Sequence, residues 1–493
     1  MAFKIAKKKE KICMRKTQTL TLVIVLLSIV CIGLLVVYYL QEAELKQYEA
    51  MSQGLKLEAK DKSPGDIEEP VQKALEDSSS KDSRLEQIGT ASDTAKSMSK
   101  SPMPASKAED SFTIGMVGDI LIHDSLINGT RQEDGSYNFR PIFKYVEPQI
   151  KNLDLAIFDM EGTFRGEPYA GYPAFSTPED LAADLKEVGF NLAITANNHA
   201  IDFGIPAMQR TIKVLRDAGI ENIGTRLSPE EPTFMIKEMG GIKAGISAWT
   251  YESARMGENF ELRALNNIPF SAEDAKLIDS FYAMGGATDL MEVDAQRIRD
   301  RIKEMRKAGA ETIIFIMHWG TEYMPEHDAS QAFYAQVLAN EGVDLVLACG
   351  PHVAQPIREV VSEDGNHHML CYYSVGNCVS NQQFDTGNSQ GHAQDGLMAV
   401  VKFARKPGGE VGISRAGYMT HTAYKQYPHG RDAEFTEALY LPLEAALSNP
   451  AAFNLSEDGI NEAKLAKERI DSVMSKNKEL DFKLEKLTTA AFD

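Results

Sequence analysis

From about residue 111 the chain repeats one pattern: a short apolar run rich in β-formers, a polar turn and, in several places, an amphipathic stretch that stops at glycine. The apolar runs include "SFTIGMVGDILIHD", "LDLAIFDMEG", "FNLAITANNH", "GIKAGISAWTY", "ETIIFIMHWG", "VDLVLACGPH", "HMLCYYSVGN" and "GLMAVVKFAR". Between them, "TPEDLAADLKEVG", "GIPAMQRTIKVLRDAG", "DAQRIRDRIKEMRKAG" and "ASQAFYAQVLANEG" read as helices; Thr177 before Pro178 is a capped start. Strands that are apolar throughout must be covered on both faces. Their alternation with helices therefore predicts an α/β domain with buried strands. The later runs are less often separated by helices and predict an added mixed or antiparallel part.

Polar residues recur where these runs stop: Asp119 in "GMVGD", Glu161 in "IFDMEG", Asn198 and His199 in "TANNH", His318 in "IFIMHWG" and His352 in "LACGPH". A single strand-end Asp is more often a turn former or helix cap, and a single His more often a hydrogen-bonded structural residue. In open α/β sheets, however, ligands bind outside the carboxyl ends of the strands, so such residues converge although far apart in sequence. Carboxylate, amide oxygen and imidazole together suit a divalent metal such as Mn, Fe or Zn. A pair of metals about 3.5–4 Å apart clamps the attacking and leaving oxygens of a displacement at phosphorus. A histidine beside the metals and not bound to them protonates the leaving group, a role that separates His199 from its neighbour Asn198. His392 sits in the Gly-rich "GNSQGHAQDG", a loop placed to cover a site; His367 and His368 read as a surface hairpin turn.

The N-terminus adds a second constraint. Seven lysines and arginines between Lys4 and Lys16 precede "TLTLVIVLLSIVCIGLLVVYYL", an uncharged run of about 22 residues that is long enough to cross a ~30 Å hydrocarbon core. A cleavable signal peptide competes with this reading. Its apolar region is shorter, roughly 7–15 residues, and ends at small residues. Here the run ends at Tyr38-Tyr39-Leu40, an interfacial aromatic anchor, which favours an uncleaved transmembrane helix over 19–40. The basic segment 1–18 then stays cytoplasmic and everything after Leu40 faces outward. Residues 41–110 are Lys-, Glu-, Asp- and Ser-rich with few aromatics and read as a disordered spacer. A formal net charge of −19, despite that basic start, excludes a nucleic-acid partner and requires a local cationic patch or a metal to hold an anionic substrate. The five cysteines, Cys13, Cys31, Cys349, Cys371 and Cys378, show neither zinc-knuckle spacing nor a disulfide framework.

After about residue 445, Ala463, Ala466, Ile470, Val473, Asn477, Leu480, Leu484 and Leu487 keep an alternating three-and-four spacing. The stretch 446–493 is thus expected to be a helical extension, either folded back on the domain or self-associating as a short coiled coil.

Taken in order, "VGDILIH", "FDMEGTF", "ITANNHAIDFGIPAMQRTIKVL", "MHWGTEY", "GPHVAQPI" and "YSVGN" resemble the poly-γ-glutamate capsule biosynthesis proteins of the CapA/PgsA type over roughly residues 112–404. The resemblance implies a calcineurin-like metallophosphoesterase fold, a four-layer α/β/β/α sandwich, for residues 111–445. It implies Asp119 and His352 as ligands of a first metal, Glu161 as the bridge, Asn198 and His318 as ligands of a second metal, and His199 as proton donor. It also implies a membrane-anchored extracellular protein of capsule biosynthesis, export or attachment, with synthase or export subunits as partners and an acidic polymer or phosphoester as substrate. The alternatives are a surface metallohydrolase on another substrate and a scaffold with a degenerate metal site. Two positions depart from the pattern. Gly350 stands where a histidine ligand is usual, and Leu121 stands where the first strand usually offers one, with His123 two residues on. His123 and His392 are the candidates to fill these gaps.

Overall fold

The computed structural model describes residues 110–493 apart from 257–261, 284–287, 383, 427–436, 478–479, 481, 490–491 and 493. The basic segment, the expected anchor and the spacer lie outside these residues. Among the described residues no helix is long and apolar enough to cross a membrane.

Two mixed sheets face each other. The first runs β18 (Glu437–Pro442), β17 (Val411–Gln426), β16 (Asp395–Arg405), β1 (Ser111–Ile120), β2 (Leu155–Met160), β3 (Leu192–Ile194), β4 (Glu221–Ile223), with β15 (Asn377–Val379) added to β1 and β19 (Leu484–Lys486) to β17. Strands β1 to β4 are parallel, as expected of β–α alternation, and β16 to β18 form the antiparallel addition. The second sheet runs β10 (Ser280–Tyr282), β6 (Ile242–Glu252), β11 (Thr312–His318), β12 (Leu345–Cys349), β14 (His368–Tyr372), β13 (Ile357–Val361), with β5 (Met235–Met239) beside β6. A small third sheet holds β7 (Ala254–Met256), β8 (Leu262–Leu265) and β9 (Ile268–Phe270).

Side-chain alternation builds the layers. Ile114, Met116, Leu155 and Ile157 of the first sheet share one core with Ile246, Ile314, Ile316, Leu345 and Leu347 of the second. The intervening residues point outward. Val117, Ala156 and Phe158 meet Leu181 and Leu185 of the helix Asp180–Val188, whereas Ile313, Phe315 and Val346 meet Ile298 and Ile302 of the helix Thr288–Lys307 and Leu338 of the helix Ala329–Asn340. Both sheets are therefore apolar on both faces, which is why the strands read as unbroken apolar runs. His367 and His368 flank the β13–β14 hairpin, as read from the sequence.

The C-terminal stretch departs from its expected form. Its helix covers only Glu457–Met474, and Ala463, Ala466, Ile470 and Val473 bury their face in the inter-sheet core together with Ala416 and Tyr418 of β17. Leu484, which continued the helical spacing, belongs to β19, paired parallel with β17. Gly417 permits this approach, since a Cβ there would lie 2.6 Å from the Glu485 carbonyl oxygen. A sheet edge offers hydrogen bonds that an isolated last turn of helix cannot, and the pairing overrides the sequence period.

Candidate metal centre

The alternation that builds the core also delivers the site. Inward positions 155 and 157 of β2 lead to Asp159 and then Glu161; 314 and 316 of β11 lead to His318; 345 and 347 of β12 lead to Cys349. Met116 of β1 also points inward, and the pairing of β1 with β2 shifts register between Met116 and Asp119, which brings Asp119 to the same side. Gly118 is required at this point, because a Cβ would fall 1.7 Å from the Gly376 carbonyl oxygen. The polar residues thus collect at the carboxyl ends of both parallel sets, between the sheets.

Two groups of donor atoms converge, each within 4.8 Å: Asp119, Asp159, His318 and Cys349; and Asp119, Glu161 and His352. All are buried. Their hydrogen bonds tell them apart. Asp159 is already satisfied, accepting from Asn197 Nδ2 (2.8 Å), His318 Nδ1 (2.7 Å) and Cys349 Sγ (3.1 Å). Among the described residues, both oxygens of Glu161 and Oδ1 of Asp119 have no hydrogen-bond partner. With Nδ1–H of His318 held by Asp159, its Nε2 faces Asn198 Oδ1 at 2.9 Å and Glu161 Oε1 at 3.9 Å, so lone pairs converge there. On the other side, His352 Nδ1 lies 3.1 Å from Asp119 Oδ2 and 3.8 Å from Glu161 Oε2. A divalent cation fits what is missing: Asp119, Glu161 and His352 would hold one, with Asn198 and His318 offering a second position on the far side of Glu161. Asp159 orients His318 from behind, the usual task of a carboxylate behind a ligating imidazole.

The electrostatics agree. Burial, and then the charges of Asp119 and Asp159, push the Glu161 carboxyl well above its ordinary range. Burial also raises Asp119, but the hydrogen bond and charge of His352, with the charge of His318, outweigh it and leave Asp119 below its ordinary value. His352 is raised: burial lowers it, and the Asp119 carboxylate more than compensates. Carboxylates in a dry site without enough positive charge are what a cation relieves.

Gly350 and His352 form the sharp turn after β12, with φ of +107° and +60°. Asn377 Oδ1 lies 3.0 Å from the same His352 Nδ1. A Cβ on Gly350 would lie 2.9 Å from the Trp319 carbonyl oxygen and 3.2 Å from His318 Cδ2. The chain is therefore closed to the histidine that is usual at this position. Gly350→His should lower stability by roughly 1–3 kcal/mol through overpacking, with no additional tight metal position. Thermal melts and the Mn stoichiometry of the variant check this, and a second tight site at wild-type stability would sink it.

His199 stands apart from both donor groups. It follows β3 and precedes the helix Gly204–Asp217, and its Nδ1 donates to Asp202 (2.9 and 3.0 Å). Asp202 is itself fixed by the Phe175 amide (2.7 Å), and the Phe175 ring meets His199 edge-on at 4.8 Å. The proton on Nδ1 leaves Nε2 to exchange with a substrate. His123 and His392, the candidates for the gaps, lie outside both donor groups. β1 ends at Ile120 after a register shift, and His123 Nδ1 instead lies between the Asn381 amide nitrogen (3.2 Å) and the Leu121 carbonyl oxygen (3.3 Å). Burial, and then the charges of Arg469 and Lys476, hold the basicity of His392 down. Asp159, Cys349 and Asp202 are the site residues that sequence reasoning missed. The period-2 pattern carried a signal for the first two.

Fold and site define a two-sheet α/β protein with a buried carboxylate–imidazole centre suited to a divalent cation. The chain belongs to the bacterial capsule synthesis protein family PGA_cap, which it matches over residues 113–382. It is 23% identical over 306 residues to the "Capsule biosynthesis protein CapA" of Bacillus anthracis, spanning 60% of this chain and 67% of that one. It is 22% identical over 289 residues to the "PGA biosynthesis protein CapA" of Bacillus subtilis (strain 168), spanning 57% and 67%. Among solved structures it is similar to the NAD nucleotidase NadN of Haemophilus influenzae, with a TM-score of 0.36 and 12% identity over 76% of this chain and 64% of that one, a likeness too slight to define the fold.

Proposed function

We propose that this chain is a membrane-anchored, outward-facing component of capsule assembly, and that its domain is a metal-dependent hydrolase of metallophosphoesterase type acting on an acidic polymer, poly-γ-glutamate, or on a phosphoester. Family membership supports the capsule role. The observation that carries the hydrolase reading is the set of unpartnered buried oxygens on Glu161 and Asp119 between His352 and the Asn198–His318 pair. A divalent cation there supplies positive charge to the oxygen that gains charge during displacement. The protein's own residues do the rest. Asp159 holds His318 in orientation. Asp202 holds the Nδ1 proton of His199, so that Nε2 can carry a proton to the leaving group. Capsule synthase or export subunits are the proposed partners. Self-association through the C-terminal helix would have to use its outer side, around the exposed Leu465.

Full-length protein loaded with Mn²⁺ or Zn²⁺ should shorten a γ-glutamyl polymer or release phosphate from a phosphoester, and a chelator should stop it. A scaffold role, favoured by the closed position at Gly350, would be indicated by tight metal binding without turnover on either substrate. Orientation has its own test. Protease added to intact cells should cut the 41–110 spacer and release the domain, because the basic cluster before the apolar run is retained inside. A fully protected chain would reject this placement.

A further inference from the structure

One buried amine has no task in the metal centre. Lys425 on β17 is 5% exposed, and its Nζ has no hydrogen-bond partner among the described residues. Pairing of β17 with β18 sets His421 opposite Pro442, Ala423 opposite Tyr440 and Lys425 opposite Ala438. His421, Tyr440 and Lys425 therefore point to the same face. Tyr440 stacks on His421 at 3.8 Å, and the Tyr440 hydroxyl and His421 Nδ1 also lack hydrogen-bond partners. From this face His421 Nε2 donates to the Asn377 carbonyl (2.9 Å), and Asn377 Oδ1 lies 3.0 Å from His352 Nδ1.

Burial, and then the charges of Lys425 and His352, hold the imidazole of His123 down to about 4, so it stays neutral. His123 Nδ1 lies 3.2 Å from the Asn381 amide nitrogen and 3.3 Å from the Leu121 carbonyl oxygen, which leaves Nε2 as the ring's free edge. His123 meets the edge of Phe175 at 5.2 Å, and Phe175 meets His199 at 4.8 Å. Burial alone pushes the Lys425 amine down to about 7, with no carboxylate acting on it. An amine in that setting gains its full charge when an anion arrives beside it. The charges that raise Glu161 most, those of Asp119, Asp159, Glu322 and Asp202, are all carboxylates. An anionic substrate thus needs a fixed cation besides any metal.

We propose that Lys425, with the imidazole of His123, forms an oxyanion subsite beside the metal centre that takes a carboxylate or phosphoryl group of the substrate. The subsite deepens the hydrolase reading and rests on it for the identity of the bound group, but its binding can be measured without metal or turnover. Full-length protein freed of metal by a chelator is titrated calorimetrically with inorganic phosphate and, separately, with glutarate. Wild type should bind one or both. Phosphate alone would identify a phosphoryl group, and glutarate alone a carboxylate. Lys425→Met should weaken that binding roughly 10- to 100-fold, the worth of one charge-assisted hydrogen bond, and Lys425→Arg should keep part of it. His123→Gln provides a second variant should Lys425→Met fail to fold, and it should also weaken the anion. Mn²⁺ affinity should be the same in all four proteins. Equal oxyanion affinity in wild type and in a folded Lys425→Met or His123→Gln protein would overturn the subsite, as would the absence of oxyanion binding by wild type. Loss of Mn²⁺ binding by wild type, with Lys425-dependent anion binding intact, would overturn the metal reading and leave the subsite standing.

Discussion

Glu161→Gln should make the metal-free protein more stable at neutral pH and abolish its stabilisation by Mn²⁺ or Zn²⁺. Neither Glu161 oxygen has a hydrogen-bond partner, and the Asp119 and Asp159 carboxylates add to burial in raising its carboxyl well above the ordinary range. The sign follows from linkage. A group whose folded-state pKa is raised binds more protons folded than unfolded, so its contribution to stability falls as pH rises above the unfolded value, about 4.3 for glutamate. The metal-free wild type should therefore lose stability from acid toward neutral pH, and Glu161→Gln should lack that component. Its gain at neutral pH should be roughly 1–3 kcal/mol, the order of one unsatisfied buried group. Metal reverses the balance. A cation at 100 times its dissociation constant stabilises the wild type by about 2.7 kcal/mol, and it should do so more weakly at acid pH, where Glu161 must first release its proton. Melting curves at several pH values, with and without metal, test both halves. A variant that is less stable than wild type without metal, or that still gains stability from it, would show that Glu161 is not the charge the cation relieves.

How far this site was legible from sequence depends on the kind of signal each residue leaves. Asp119, Glu161, Asn198, His318 and His352 each end an apolar run, and that local break is readable without any partner. The structure gathers their side chains, as well as Asp159 and Cys349, between the carboxyl ends of two sheets. Asp159 was missed because it lies inside its run, and only counting alternate positions from Leu155 shows that it faces inward. Cys349 was weighed only for zinc-knuckle or disulfide spacing, and the same count from Leu345 shows that it faces inward. Asp202 and Lys425 left no local trace. The first acts through a turn three residues beyond His199. The second is defined by what surrounds it, which depends on the pairing of strands distant in sequence. The fold was readable where periodicity is strong and misread after Met474, where strand pairing at a sheet edge decides the conformation and a continuing apolar spacing does not.

His199→Ala should lower turnover by roughly 10²–10⁴-fold, the usual contribution of a positioned general acid, while metal content and melting temperature stay near wild type. The geometry separates the two effects. His199 belongs to neither converging donor group, and its Nδ1 is spent on Asp202, so removing it withdraws a proton carrier and no ligand. Asp119→Ala should behave in the opposite way, losing metal and activity together, because its Oδ1 is one of the unpartnered oxygens that the cation fills. Asp202→Asn provides the internal control. An amide can still accept from Nδ1 but no longer stabilises an imidazolium, so turnover should fall by less than in His199→Ala. Rates and metal content of the three variants decide the assignment. If His199→Ala strips the metal, His199 is a ligand. If turnover is unchanged in all three, the centre binds metal without catalysing hydrolysis, and the contribution of this domain to the capsule is that of a scaffold.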